Sequence, residues 1–124
     1  MRLNIEELKK RTEELKKWAG DLAEYIINEL EGYDLDFEFE DPEVGLVDDY
    51  TTLVLNLWGK VLPADINGAD ENVLDKFLED TFNSFVNSEI GKIKYHSCDC
   101  RCYIFDKNEN SHPINLELDI YGIQ

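Results

Sequence analysis

Apolar residues recur at helical spacing in two stretches of the chain. The first stretch carries the stripe Ile5, Leu8, Leu15, Trp18, Leu22, Tyr25, Ile26 and Leu30. Such a stripe is typical of a helix that buries one face, and it predicts a long helix over about 4–31 that ends before Gly32. A second stripe within 70–89 has the same period and is followed by Gly91, a common helix stop. The sequence therefore predicts two amphipathic helices.

The segment between these helices has the pattern of two β-strands. In 35–39, Leu and Phe alternate with Asp and Glu, which is the period of two expected of a strand with one buried face. Pro42 and Gly45 then predict a break. The run 51–62 places leucines on one face and the mixed residues Val54, Asn56 and Trp58 on the other. Such a run predicts a more central strand.

The last third of the chain has the pattern of a β-hairpin. Residues 92–105 and 114–121 both read as strands, and the polar turn DKNENSHP joins them. The alternation in the second of these strands predicts four core-facing residues, Ile114, Leu116, Leu118 and Ile120.

The element order α-β-β-α-β-β indicates one α+β domain over 1–124, with a mainly antiparallel sheet and two helices packed on one face. A chain of 124 residues is long enough to bury about two thirds of its unfolded surface around one core. It has no apolar run near the ~18 residues of a membrane span, and its amphipathic start lacks the features of a signal or transit peptide. We therefore expect a cytoplasmic protein.

The net charge is −16, from 12 basic and 28 acidic residues. Direct binding to nucleic acid or to an anionic membrane is disfavoured because phosphate would be repelled, whereas a basic partner would be attracted. The charge is concentrated in the middle of the chain, since residues 32–89 hold 15 of the acids and two of the bases. A general adaptation to high salt would spread the acids more evenly.

The acidic residues of this middle region are the candidate partner-binding site. Asp36, Glu38 and Glu40 would form a row on the open face of a strand, with further acids in the adjoining turns. Acids also recur four residues apart on the second helix, where like charges repel one another. The candidate residues are Asp34, Asp36, Glu38, Glu40, Asp41, Glu43, Asp48, Asp49, Glu71, Asp75 and Glu79. Affinity also needs apolar anchors, for which the candidates are Trp18, Tyr25 and Trp58.

The tract from His96 to Cys102 raises the question of a metal site. In a strand, His96, Cys98, Cys100 and Cys102 point the same way. Neighbours on one face are about 6.6 Å apart, so the four groups cannot share one zinc ion. A disulfide between neighbours is also awkward, because the Cβ atoms must approach to about 3.8 Å. We therefore expect three free cysteines on the core face of a strand.

The familiar catalytic signatures are missing from the sequence. It has two histidines, no Gly-x-Ser-x-Gly, no phosphate-binding glycine loop and no His-Glu-x-x-His. A calcium-binding EF-hand loop starting at Asp34 would need glycine where Phe39 stands. We therefore expect a binding protein that is not an enzyme and that uses no metal or cofactor.

In its size, its charge and the acid-rich segment LDFEFEDPEVGLVDD, the chain resembles, as a class, the small acidic phage inhibitors of anti-CRISPR and DNA-mimic type. The resemblance implies a stoichiometric inhibitor that occupies the nucleic-acid channel of a CRISPR effector or another defence nuclease, in the host cell cytoplasm if the protein is phage-encoded. Acidic immunity proteins that neutralise a nuclease toxin look similar in the same respects. The alternative of a different class is a non-inhibitory assembly protein, in which the helices or an open sheet edge form a homo-oligomer.

Overall fold

The computed structural model describes residues 5–30, 36–47, 50–61, 71–105 and 112–124. These described residues form two helices and five strands, so the predicted α+β class is confirmed. In order they are α1 (Ile5–Leu30), β1 (Asp36–Phe39), β2 (Glu43–Val47), β3 (Tyr50–Val61), α2 (Glu71–Val86), β4 (Ser97–Ile104) and β5 (His112–Ile123).

All pairings in the sheet are antiparallel, and the strand order is β1-β3-β5-β4, with β2 also paired to β3. The predicted central position of β3 is confirmed, because it is paired along both of its edges. The predicted hairpin is confirmed as well, since β4 and β5 are paired from Ser97↔Tyr121 to Ile104↔Ile114.

The break predicted at Pro42 is confirmed, because β1 ends at Phe39 and residues 40–42 belong to no strand. Gly45 does not break the chain, since it lies inside β2. β1 and β2 pair with successive parts of β3: Phe39 lies opposite Leu57, and Glu43 lies opposite Val54. The edge therefore advances by four residues, from Phe39 to Glu43, while β3 advances by three, from Leu57 to Val54. One extra residue on one strand is the mark of a β-bulge. Proline lacks an N–H group, and it is tolerated at such an interruption of an edge strand. Pro42 thus interrupts the edge strand, and the chain pairs with β3 again from Glu43.

The core lies between one face of the sheet and the two helices. The register places Leu53 opposite Ile120, Leu55 opposite Leu118 and Leu57 opposite Leu116, so leucine and isoleucine form a continuous apolar layer. Leu22 and Ile26 of α1 and Leu78 and Phe82 of α2 are buried in the same cluster. The four core-facing residues predicted for β5 are all 0% exposed, as expected from their alternation. Both helices therefore cover the same face.

The end of α2 is tied to α1 by aromatic packing. Trp18 contacts Phe85 edge to face at 5.4 Å between ring centroids, and the indole N–H of Trp18 donates to the backbone oxygen of Gly91 at 3.1 Å. Tyr25 contacts the same Phe85 ring at 5.5 Å. A Cβ at Gly91 would lie 2.0 Å from the Phe85 carbonyl oxygen, so the chain can turn back over α2 there only with glycine.

This junction predicts opposite effects for two glycine-to-alanine changes. Gly91→Ala is expected to lower the free energy of unfolding by about 2–4 kcal/mol, because the new methyl group meets backbone that cannot move aside cheaply. Gly20→Ala is expected to raise it by about 0.5–1 kcal/mol, because that helical position has nothing within 4 Å and alanine favours the helix. Urea denaturation of both variants checks the pair, and a Gly91→Ala protein as stable as wild type would contradict this account of the turn.

Candidate partner-binding face

The sheet has an open face, turned away from both helices. Strand residues alternate in direction, so the residues between the buried positions of β3, β4 and β5 point to this side. Within the described ranges, both helices pack on the other side. The open face comprises Glu38, Glu43, Val54, Asn56, Trp58, Lys60, Asp99, Arg101, Tyr103, Phe105, Asn115, Glu117, Asp119 and Tyr121.

Three aromatic rings stack on one end of the open face. Trp58 and Phe105 are nearly parallel, with 6.3 Å between centroids, and Tyr103 and Phe105 are 6.5 Å apart in a similar arrangement. All three side chains are about 40% exposed. Large aromatic side chains are enriched in the anchors of protein interfaces, where burying them supplies affinity. We refer to Trp58, Tyr103 and Phe105 as the aromatic patch.

Charged residues, mainly carboxylates, flank the aromatic patch. Glu38 of β1 lies directly opposite Trp58, and Glu117 of β5 lies opposite both Asn56 and Arg101. The described open face holds five carboxylates and two basic side chains, so its own charge is negative. A single ion pair joins described open-face residues, Arg101 with Asp99 at 3.5 Å between Nη2 and Oδ2, and its two side chains are about half exposed. This pair offsets one of the five carboxylate charges of the open face.

The centre of the open face brings two carboxylates together. Glu117 and Asp119 point the same way on β5, and Asp119 is buried at 7% exposure. The Tyr121 hydroxyl donates to Asp119 Oδ2 at 3.4 Å. Partial burial, followed by the charge of Asp119, raises the pKa of Glu117, and Arg101 opposes this shift. The raised pKa means that the ionised pair carries an electrostatic cost, which a cation from outside would relieve.

Because ionised Glu117 destabilises the fold, we expect Glu117→Gln to raise the stability of the protein by an amount that depends on pH. A carboxyl whose pKa is higher in the folded state weakens the fold when ionised, and this weakening disappears at a pH below its unfolded pKa. Glu117→Gln is therefore expected to be more stable than wild type at pH 7 and to lose that advantage below about pH 4. Thermal denaturation between pH 3 and pH 7 tests this, with the exposed α1 residue Glu24, changed to Gln, as the control. An advantage that does not vary with pH would contradict the coupling.

The structure divides the acidic residues predicted to bind a partner. Those at the sheet edge stay together. Glu38 and Glu43 lie on the open face, and Glu40 and Asp41 are exposed in the connection between β1 and β2. The backbone of Asp36 in β1 lies opposite that of Lys60 in β3. Glu71, Asp75 and Glu79 belong to α2, in the helical layer on the other side of the sheet. Asp34, Asp48 and Asp49 lie outside the described residues.

Sequence reasoning missed the central acids Asp99, Glu117 and Asp119. Their signal was present, because Glu117 and Asp119 alternate with the core-facing residues of β5 in the run INLELDI. The acids chosen from the sequence came from its acid-rich middle, and Asp99, Glu117 and Asp119 lie outside that region. The pairing of β5 between β3 and β4 places Glu117 and Asp119 at the centre of the sheet, and Asp99 lies beside Asp119 on the edge strand β4.

The three aromatic anchor candidates have different environments. Trp58 lies on the open face, in the aromatic patch. Trp18 is buried in the core, and its indole N–H is satisfied by Gly91. Tyr25 is half-buried against Phe85, between the helices. Of the three, Trp58 is thus the one placed to meet a partner at the carboxylates.

The cysteines lie on the helix-covered side of β4, so their predicted orientation is confirmed. Cys102 is buried, Cys98 and Cys100 are half-buried, and all three are free thiols. The sulfur atoms of Cys98 and Cys100 are 3.9 Å apart. The hydrogen bond with Cys100, followed by burial, raises the pKa of Cys98, which keeps this thiol protonated. The described residues contain no group of three or more His, Cys, Asp or Glu side chains that could hold a metal ion.

Neither described helix is apolar over a stretch long enough to cross a bilayer. Comparison with known proteins gives no match to a family model, to a curated protein or to a solved structure.

Proposed function

We propose that this protein is a stoichiometric inhibitor that binds a basic, nucleic-acid-binding enzyme through its open face. The proposed target class is a CRISPR effector or another defence nuclease, met in the host cell cytoplasm if the protein is phage-encoded. The observation that carries the proposal is the exposed aromatic patch on a face whose charged residues are mainly carboxylates. Hydrophobic anchors and a net negative charge on the same face are what a binding surface for a basic protein needs.

The proposed mechanism is mimicry of a phosphate backbone. Glu117 supplies a half-buried carboxylate on the central strand β5, and Glu38 and Glu43 extend the charge to the sheet edge. A sheet holds such charges at fixed intervals, as a nucleic acid does, so a basic groove would meet a preformed negative surface. Occupation of that groove would exclude nucleic acid without any chemical step.

The two parts of the open face have different proposed roles. The carboxylates would attract the partner over distance and align it, which makes association fast and sensitive to salt. The aromatic patch would supply affinity after contact, when its three rings leave water. Binding that depended on charge alone would vanish at moderate salt, whereas the aromatic patch would retain part of it.

Capture from a lysate tests the proposal. Tagged protein is incubated with nuclease-treated bacterial lysate that contains CRISPR effectors, bound proteins are eluted by a salt gradient, and mass spectrometry identifies them. The proposal predicts a basic nucleic-acid enzyme that competing DNA or guide RNA displaces. Capture that is indifferent to both salt and nucleic acid would contradict it.

A homo-oligomer is the second candidate, and the position of β4 favours it. β4 is the last strand in the sheet order, and within the described ranges no strand pairs with its outer edge. Such an edge can add a strand from a second copy. Light scattering separates the candidates: a particle of 14.4 kDa favours the inhibitor, and a dimer that persists at high salt favours assembly.

A further inference from the structure

Two thiols of β4 lie within contact distance of each other. Cys98 and Cys100 point to the helix-covered side of the strand, and their Sγ atoms are 3.9 Å apart. Both thiols are free, and both side chains are half-buried against the core. β4 is the last strand in the sheet order, and within the described ranges no strand pairs with its outer edge. We refer to Cys98 and Cys100 as the thiol pair, which is packed on the core without being closed off from solvent.

The surroundings of the thiol pair are apolar and aromatic. Ile120 and Leu118 of β5 lie opposite the two cysteines, and both are fully buried. Burial, followed by the charges that the thiol pair would carry as thiolates, raises the pKa of Tyr95, so this phenol lies near both sulfur atoms. The Tyr95 ring packs on Phe82 of α2 with 5.5 Å between centroids. A solute that enters here meets two sulfur atoms held against hydrocarbon and aromatic rings.

The thiol pair also lies in a negative potential. The hydrogen bond with Cys100, followed by burial, raises the pKa of Cys98, and the charges of Asp99 and Asp119 add to the shift. These two carboxylates are on the other face of the same sheet. A potential that disfavours a bare thiolate favours a cation bound to it, because the cation removes the repulsion.

The number of ligands decides which cation fits the thiol pair. Zinc in a structural site takes four ligands, whereas the described residues contain no group of three or more His, Cys, Asp or Glu side chains that could hold a metal ion. Thiolates select soft cations, of which Cu(I) is stable with two sulfur ligands. Metal–thiolate bonds are about 2.3 Å long, so one ion can bond both sulfur atoms at their separation of 3.9 Å, and a straight S–Cu–S arrangement needs them to spread by about 0.7 Å.

We propose that the thiol pair binds one Cu(I) ion. Both thiol protons leave to water, one Cu–S bond forms at each sulfur, and the bis-thiolate centre carries one negative charge. No electron is transferred, because the copper enters and stays as Cu(I). This site is independent of the proposed function, since the thiol pair lies on the side of the sheet turned away from the open face.

Competition for Cu(I) tests the proposal. The protein is titrated without oxygen, in a non-thiol reductant, against Cu(I) held by bicinchoninate, whose colour reports the copper that the protein removes. We expect the wild type to remove one Cu(I) per chain. Cys98→Ala and Cys100→Ala should each weaken binding by at least about 100-fold, since loss of a group that merely supports a metal ligand already costs about 10–100-fold. A wild-type protein that removes no copper would overturn the proposal.

Cys102→Ala is the matched control. Cys102 is the next cysteine on the same side of β4, and it is buried. Its variant should bind Cu(I) within about threefold of wild type, because both proposed ligands remain. Circular dichroism of the three variants separates loss of a ligand from loss of the fold. A loss with Cys102→Ala as large as that with Cys98→Ala, in folded proteins, would contradict a site made of two thiols.

X-ray absorption by the copper-loaded wild type gives a readout that needs no variant. Two sulfur neighbours around copper are expected. A third sulfur, or nitrogen or oxygen in place of one of the two, would overturn the assignment. Because these measurements use no partner protein, failure of the lysate capture would leave the copper site standing, and failure of copper binding would leave the proposed function standing.

Discussion

The triple variant Glu38→Gln, Glu43→Gln and Glu117→Gln is expected to weaken binding of the basic partner about 100-fold at low salt. The three residues lie on β1, β2 and β5, so the change removes charge across the width of the open face. An exposed charge pair contributes up to about 1 kcal/mol, and each 1.4 kcal/mol is a factor of ten in affinity. Three pairs, one of them at the half-buried centre, give about that loss. Isothermal titration with the captured partner at several salt concentrations measures it.

The matched control carries the same change of charge on the other side of the molecule. Asp21→Asn, Glu24→Gln and Glu29→Gln neutralise three exposed acids of α1. Affinity is expected to stay within about threefold of wild type, because these charges lie beyond the sheet and the core and are screened. The slope of affinity against salt should also flatten for the open-face variant and not for the α1 variant. Equal losses would mean that net charge, and not the open face, attracts the partner.

Leu118→Ala is expected to lower the free energy of unfolding by about 3–5 kcal/mol. Leu118 is fully buried at the middle of β5, between Leu55 of β3 and Cys100 of β4. Truncation removes buried methyl groups and leaves a cavity that a paired strand cannot close, which is the costly case for such a change. A domain of this size is stable by about 5–15 kcal/mol, so the loss is a large part of the total.

Urea denaturation with linear extrapolation measures the effect of Leu118→Ala. The control is Val54→Ala, a similar truncation on the half-buried open face of β3, for which we expect a loss of about 1 kcal/mol or less. The contrast checks which face of the sheet is the core. Equal destabilisation by the two changes would contradict the assignment of an open face.

The sequence predicts the elements well where one face of each is apolar. The stripe that includes Leu22 and Ile26 identifies α1, and the alternation around Leu118 identifies β5, because burial on one side imposes a period on the chain. The strand does end before Pro42 as predicted, but the sequence pattern does not predict the second edge strand that starts at Glu43 and contains Gly45. Pairing of this segment with β3 is a tertiary interaction, and the local sequence pattern does not predict it.

The candidate site was predictable in part for the same reason. The strand pattern correctly separates Glu38 from the core, but it cannot say which side of the sheet the helices cover. The acids of α2, such as Glu79, are therefore grouped with Glu38 by sequence and are separated from it by the fold. Glu117 and Asp119 become central only when β5 is inserted between β3 and β4. Likewise, spacing cannot distinguish Trp18 from Trp58, which the fold places in the core and on the open face.

Carboxyl footprinting shows which face of the protein the basic partner covers. The protein is labelled with a carbodiimide and an amine, alone and in complex with the basic partner recovered by capture, and the modified acids are quantified by mass spectrometry. We expect the partner to protect Glu38, Glu43 and Glu117 from labelling. Glu24 of α1 and Glu79 of α2 are expected to remain as reactive as in the free protein. Protection of Glu24 and Glu79 with unchanged labelling of Glu38, Glu43 and Glu117 would contradict this expectation and would move the binding site to the helical layer.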